Sequence, residues 1–368
     1  MSEIHAGRRQ RAGELISAAG FGAAAFVPGP NFNYLTGLDF HLMERPTILF
    51  VTGTGDVLSV MPELERLKWS GTFPGAPTFY WQDSDGFETA FADAAAGLGN
   101  IPLCVEGGRM RMFEYDALCR HMGGPEAVNN GDHVLAALRM AKDDEEIAAL
   151  KQAIKISELA LAETLEEVGA GVTERQVQKL LGNRLLELGA DAIAFGPIAL
   201  AGARAANPHG TPGDTELRPG DVLLIDFGGK VGGYNADITR TFFIGHATDE
   251  HASIYETVLA ANTLGRKECR PGMTAHDLDS AVTGVLRGSP FAGLIVHKTG
   301  HGLGLDVHEA PQIMIGNHEP LIPGAVITIE PGLYREGEIG VRIEDDVLMT
   351  GSDSISLTGF DRKLRILR

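Results

Sequence analysis

A short internal repeat constrains this 368-residue chain more than any other feature. Pro219-Gly220-Asp221-Val222-Leu223-Leu224-Ile225-Asp226 reads against Pro323-Gly324-Ala325-Val326-Ile327-Thr328-Ile329-Glu330, with Pro, Gly, Val and Ile matching in place and Asp matching Glu. Each copy predicts a turn followed by a buried strand that ends in a carboxylate. A Gly-containing turn and a second strand with a second carboxylate come next, Asp237 in one copy and Glu344 in the other. Residues opposite each other on an antiparallel pair point to the same face. Asp226 and Asp237 are therefore expected to converge across a hairpin turning near Val231-Gly232, and Glu330 and Glu344 across one turning near Gly337. Two such hairpins related by a pseudo-twofold present four carboxylates to one point.

Gly300-His301-Gly302-Leu303-Gly304, followed by His308, adds imidazole to that set. Ionised carboxylates placed side by side repel and lose hydration, so a cation is expected between them. Four carboxylates and one imidazole form a hard donor set that suits Mn²⁺, Co²⁺ or Fe²⁺ at least as well as Zn²⁺. Two metals a few ångströms apart would share a water and polarise a carbonyl. Taken singly, Asp226 or Glu344 also reads as a turn cap or as a partner of Arg240 or Arg342. Strand parity places Asp345 on the face opposite Glu344 and Arg342 on the same face, where it orients or neutralises the acids.

The length allows two domains, each with its own core. A net charge of −18 argues against nucleic acid or an anionic membrane as partner. Three widely spaced cysteines form neither a disulfide framework nor a zinc motif, as in a reducing compartment. Arg8-Arg9-Gln10-Arg11 precedes a small-residue stretch, but glycines interrupt it and no run approaches a membrane span, so a cytoplasmic location is expected. Residues 7–19 predict a helix. Strands are predicted over 23–27, 47–52, 57–60, 101–105 and 134–138, in an α/β domain without a chemical motif. The charged bridge at 139–146 marks the boundary. Helices are then expected over 143–168, 173–188, 250–269 and 274–287, interleaved with hairpins, which indicates an α+β second domain.

With those residues laid out, the chain resembles the creatinase/prolidase/methionine-aminopeptidase metallohydrolases, whose catalytic domain has the pita-bread fold. Asn33-Tyr34-Leu35-Thr36-Gly37 is similar to the creatinase-type N-terminal domain. Leu138-Arg139 with Lys142 and Glu146-Ile147 resembles its junction with the catalytic domain. The ordered set Asp226, Asp237, His301, Glu330, Glu344 matches the five residue types that bind two divalent metals in the proline-specific members. The resemblance implies a creatinase-type domain over residues 1–138 and a pita-bread metallopeptidase domain over 139–368. It implies two divalent ions, Mn²⁺ first among them, with Asp237 and Glu344 bridging or flanking both. Asp226 would bind one metal, while His301 and Glu330 complete the other, and Glu330 would also shuttle protons. His209 and His308 would hydrogen-bond the substrate carbonyl or the tetrahedral intermediate. His297 would shape the pocket, with Thr239 and Tyr234 supporting the ligands. A homodimer is implied, with the N-terminal domain contacting the partner.

Substrate length turns on one departure. In well-known prolidases an arginine follows the His-Glu-x-Pro motif and grips the substrate's free carboxylate. Here His308-Glu309-Ala310-Pro311 is followed by Gln312, which cannot form a charged bidentate clamp. On that ground the expected activity is an Xaa-Pro aminopeptidase, with Xaa-Pro dipeptidase as the alternative. A lyase or amidinohydrolase of the same fold, or a non-catalytic peptide-binding protein, are further readings.

Overall fold

The apolar runs of the N-terminal third pair as one mixed sheet in the computed structural model, which describes residues 3–368. Its strands are β1 (Ala23–Phe26), β2 (Ile48–Thr52), β3 (Val57–Pro62), β4 (Thr78–Trp81), β5 (Leu103–Val105) and β6 (Val128–Asn130), in the order β4-β3-β2-β1-β5-β6. β2 runs antiparallel to both β1 and β3, while the outer pairings are parallel. Phe50, Val60, Trp81, Phe91 and Leu118 fill one core of this unit, which extends to Arg139. The strand expected over 134–138 is helical instead, as Asp132–Leu135 and Ala137–Met140. Leu135 and Leu138 are the buried positions there, and a three-residue spacing is helical rather than strand-like.

The second unit spans Met140–Arg368. Its strands are β7 (Ala192–Ile193), β8 (Ile198–Ala201), β9 (Val222–Phe227), β10 (Gly229–Val231), β11 (Tyr234–Asn235) and β12 (Ile238–Ile244) in the first half. The second half holds β13 (Gly300–Gly302), β14 (Glu309–Ile313), β15 (Val326–Ile329), β16 (Gly332–Arg335), β17 (Ile339–Arg342), β18 (Asp345–Met349), β19 (Ser354–Ser356) and β20 (Ile366–Leu367). They form sheets β20-β12-β9-β8, β14-β13-β15-β18-β19, β11-β10-β7 and β16-β17.

Each half pairs two helices with one long hairpin. Asp144–Glu167 and Glu174–Glu187 bury Ile154, Leu161, Val177 and Leu181 against Leu223, Ile225, Ile238 and Phe242. Asp249–Glu268 and Ala275–Arg287 bury Ile254, Val258, Leu278 and Val282 against Ile327, Ile329, Val341 and Val347. The helix starts are written in the sequence. Asp143 Oδ1 accepts from the Glu146 amide while Glu146 Oε2 accepts from the Asp143 amide, each at 2.9 Å, and Thr173 with Gln176 repeats the device.

Register decides where the carboxylates go. β9 and β12 pair with Asp226 opposite Thr239, and the same offset carries on to Lys230 opposite Asn235. Asp237 is thus diagonal to Asp226 on one face, not directly opposite it as expected from the hairpin alone. Gly232 and Gly233, with φ of 57° and 87°, make the turn. In the other copy Ile329 faces Asp345 and Gly332 faces Arg342, so one continuous register sets Glu330 directly against Glu344.

Candidate metal centre

The five expected ligands come together. Oxygen atoms of Asp226, Asp237 and Glu344 lie within 4.8 Å of one another, as do ligand atoms of His301, Glu330 and Glu344. Asp237 also groups with His301 and His308 on the same criterion. Glu344 therefore belongs to two groups, and Asp237 links the same two sides. His301 Nε2 lies 3.3 Å from Glu330 Oε1 and 3.8 Å from Asp237 Oδ2.

The glycines around His301 have a packing cause. A Cβ on Gly300 would lie 2.1 Å from the Thr328 carbonyl oxygen, and one on Gly302 would lie 2.1 Å from that of Ala310. β13 is therefore wedged between β14 and β15 with room for only one side chain. His301 Nδ1–H donates to the Gly302 carbonyl at 3.1 Å, which leaves the Nε2 lone pair facing the carboxylates.

Burial sets the electrostatics. Asp237 and Glu344 have carboxyl pKa values pushed well above the usual range, by burial first and then by the neighbouring acids. Burial also pushes Glu330 up, but His301, His297 and Arg342 outweigh it and hold that carboxyl down at about 2. Asp226 Oδ1 is buried with no hydrogen-bond partner among the described residues. Such an orphan acceptor, inside a group of four acids and one imidazole, fits a divalent cation.

Arg342 is the fixed counter-charge. Its Nη2 donates to Asp226 Oδ2 at 2.6 Å, its Nε to Thr239 Oγ1 at 3.0 Å, and its Nη1 to the Tyr334 hydroxyl at 2.8 Å. Thr239 in turn donates to Glu344 Oε2 at 2.6 Å. Tyr334 bonds His297 Nε2 at 2.9 Å, and His297 Nδ1–H donates to the Lys298 carbonyl at 2.8 Å. Both ring nitrogens of His297 are thereby committed, and burial lowers its pKa. Tyr234 donates to Glu146 at the helix start rather than to a ligand. On the far face of β18, Asp345 Oδ1 accepts from Arg240 Nη2 at 2.7 Å, and its Oδ2 from Arg362 Nε at 2.7 Å.

The five expected ligands, with His297 and Arg342, line a single cavity of about 520 Å³, which also takes in His209, His308, Lys298 and Gln312. His209 and His308 are exposed to it, and the His308 ring meets that of His301 edge-on at 4.2 Å. Burial and the neighbouring His301 lower the His308 pKa, so the ring is neutral at neutral pH. The sequence reading missed three residues here. Tyr334 links Arg342 to His297, Asp346 Oδ2 accepts from the Asp237 amide at 3.2 Å, and Lys298 reaches Gln312 across the cavity wall. A basic residue between two candidate histidines was the one available signal for Lys298. Behind His308, a buried Lys142 Nζ pairs with Glu309 Oε1 at 2.6 Å, and the Lys142 amide donates to Gly324 O at 2.9 Å.

Comparison with known proteins adds identity to geometry. The metallopeptidase family M24 model matches residues 148–351, and the creatinase/prolidase N-terminal domain matches residues 8–141. The chain is 32% identical over 383 aligned positions to a probable dipeptidase, PepE, of Mycobacterium bovis, covering 100% of this chain and 97% of that one. It superposes on a prolidase from Thermococcus sibiricus with a TM-score of 0.93 at 31% identity, covering 100% of both chains. An X-Pro aminopeptidase from Thermotoga maritima gives 0.84 at 30% identity, covering 98% of this chain and 99% of that one.

Proposed function

The chain belongs to the metallopeptidase family M24, with a creatinase/prolidase N-terminal domain, and on that premise we propose that it is a two-metal Xaa-Pro dipeptidase. The convergence of Asp226, Asp237, His301, Glu330 and Glu344 on one cavity carries the reading. Relatives matching over the full length and named dipeptidase or prolidase support a two-residue substrate over the longer peptides that Gln312 alone suggested.

Asp226, Asp237 and Glu344 would hold one divalent ion, and His301, Glu330 and Glu344 the other, with Glu344 common to both sets and Asp237 placed between them. Mn²⁺ suits this hard set, and Co²⁺, Fe²⁺ or Zn²⁺ are compatible with it. When bound, such a pair supplies Lewis acidity to the scissile carbonyl and acidifies water. Glu330, held ionised, takes the proton of the attacking water and returns it to the leaving proline nitrogen. His209 and His308 line the cavity, where a ring N–H can donate to the developing oxyanion. Arg342 keeps Asp226 and Glu344 in place through direct and Thr239-relayed contacts.

The test is a panel of Xaa-Pro dipeptides, Xaa-Pro-Yaa tripeptides and creatine, run with chelated protein and after adding Mn²⁺ or Co²⁺. Dipeptides should turn over fastest, and only with metal. Faster cleavage of tripeptides would return the assignment to aminopeptidase, and metal-independent activity would remove the two-metal mechanism.

A further inference from the structure

Two basic side chains line the cavity, and their circumstances differ. Arg342 is 3% exposed and all its polar contacts are taken by Asp226, Thr239 and Tyr334. Lys298 is half-buried, and its ammonium meets the amide oxygen of Gln312, with no carboxylate partner among the described residues.

The lysine is held where it is by several contacts. Gln312 Nε2 donates to the Glu309 carbonyl at 3.1 Å, which turns its Oε1 toward Lys298. The Lys298 carbonyl accepts from His297 Nδ1–H at 2.8 Å, which pins the backbone. Gln312 is the direct cross-strand partner of His301, and opposed side chains on an antiparallel pair share a face about 5 Å apart. Lys298 thus lines the same cavity as the acidic cluster, beside the cross-strand neighbour of His301. An anion one residue beyond a scissile carbonyl is the free α-carboxylate of a dipeptide.

We propose that Lys298, steadied by Gln312, is the residue that binds the C-terminal carboxylate of the substrate and so selects two-residue peptides. The inference rests on the dipeptidase reading above. It assigns length selection to a single charged contact on the chain segment leading into β13, with the neutral side chain at position 312 serving as its brace. Lys298 holds the substrate and takes no part in proton transfer.

The measurement compares an Xaa-Pro dipeptide with the same dipeptide amidated at its C-terminus, in the metal-loaded full chain. The unmodified protein should prefer the free acid by about tenfold or more, the range of one partly solvated charged hydrogen bond. Lys298→Met should lose that preference through KM with kcat little changed, while its activity on the amide stays put. Lys298→Arg should restore it. Inhibition by proline against prolinamide should shift in parallel. Equal losses on acid and amide, or an intact preference in Lys298→Met, would overturn the anchor while leaving the dipeptidase assignment standing. No acid preference in the unmodified protein would remove the dipeptidase reading itself and the anchor with it.

Discussion

Asp345→Asn is the substitution that best separates stability from chemistry at this site. Asp345 lies next to Glu344 in sequence but faces the opposite way, into Arg240, Arg362, Arg266 Nε at 3.2 Å and Asn262 Nδ2 at 2.9 Å. Its carboxylate and the Arg240 guanidinium are 0% and 1% exposed. Removing one partner from a buried pair destabilises by roughly 3–5 kcal/mol, because the other charge stays behind unpaired. Asparagine keeps an acceptor and the other two arginines reach some water, so the expected loss is about 3 kcal/mol. For a domain of this size that lowers Tm by roughly 6–12 °C. Burial pushes the Asp345 carboxyl up, but Arg240 and Arg362 outweigh it and hold its pKa below the ordinary value of 3.8. A depressed folded pKa contributes stability above that ordinary value and loses it as pH falls further. The gap between parent and Asp345→Asn should therefore be full at neutral pH and close below about pH 4. Calorimetry of the metal-free full chain reads this out, with Glu344→Gln as control. Burial and then the neighbouring Glu330 and Asp226 push the Glu344 carboxyl well above its ordinary pKa, so replacing it by a neutral amide should leave the metal-free Tm unchanged or higher. Equal melting of parent and Asp345→Asn at pH 7, or a Glu344→Gln that melts as low, would refute the division of labour across β18.

Asp237→Ala removes the carboxylate between the two ligand groups, and metal analysis by mass spectrometry should show that two-ion loading is abolished. Full occupancy in that variant would overturn the ligand assignment. Sedimentation at micromolar concentration should show a homodimer formed through the N-terminal unit, where Met43 and Met112 are 52% and 72% exposed and Arg111 binds the Met43 carbonyl. A monomer with full activity would count against it. Tyr334→Phe should lower kcat/KM about tenfold, by freeing His297 and one arm of Arg342, with metal content unchanged.

Asp226 and Glu330 were legible because each closes a buried apolar strand with a lone acid, and the other three because they follow in glycine-flanked or strand-bounded segments of the same pattern. The helix starts were legible for the same local reason, since Asp143 and Thr173 carry their partners three residues on. What the sequence hid was relational. Placing Asp226 across from Thr239 rather than Asp237 depends on a two-residue offset that no local pattern reveals. Lys298 reads as a solvated surface charge until β14 brings Gln312 beside it. Residues 134–138 carry a strand's composition but a helix's burial spacing, and only packing chooses between them.

The Lys142–Glu309 pair bears on where the molecule can be divided. Glu309 follows His308 directly, and its counter-ion comes from a residue that precedes the first long helix of the second unit. The family match begins only at residue 148, beyond Lys142 and beyond the Asp143–Glu146 cap. A fragment trimmed to the match would take the ammonium from a buried carboxylate beside the cavity and fray the helix at the same stroke. One beginning at Met140 keeps both. The working edge of the peptidase unit therefore lies several residues upstream of where its recognisable sequence starts.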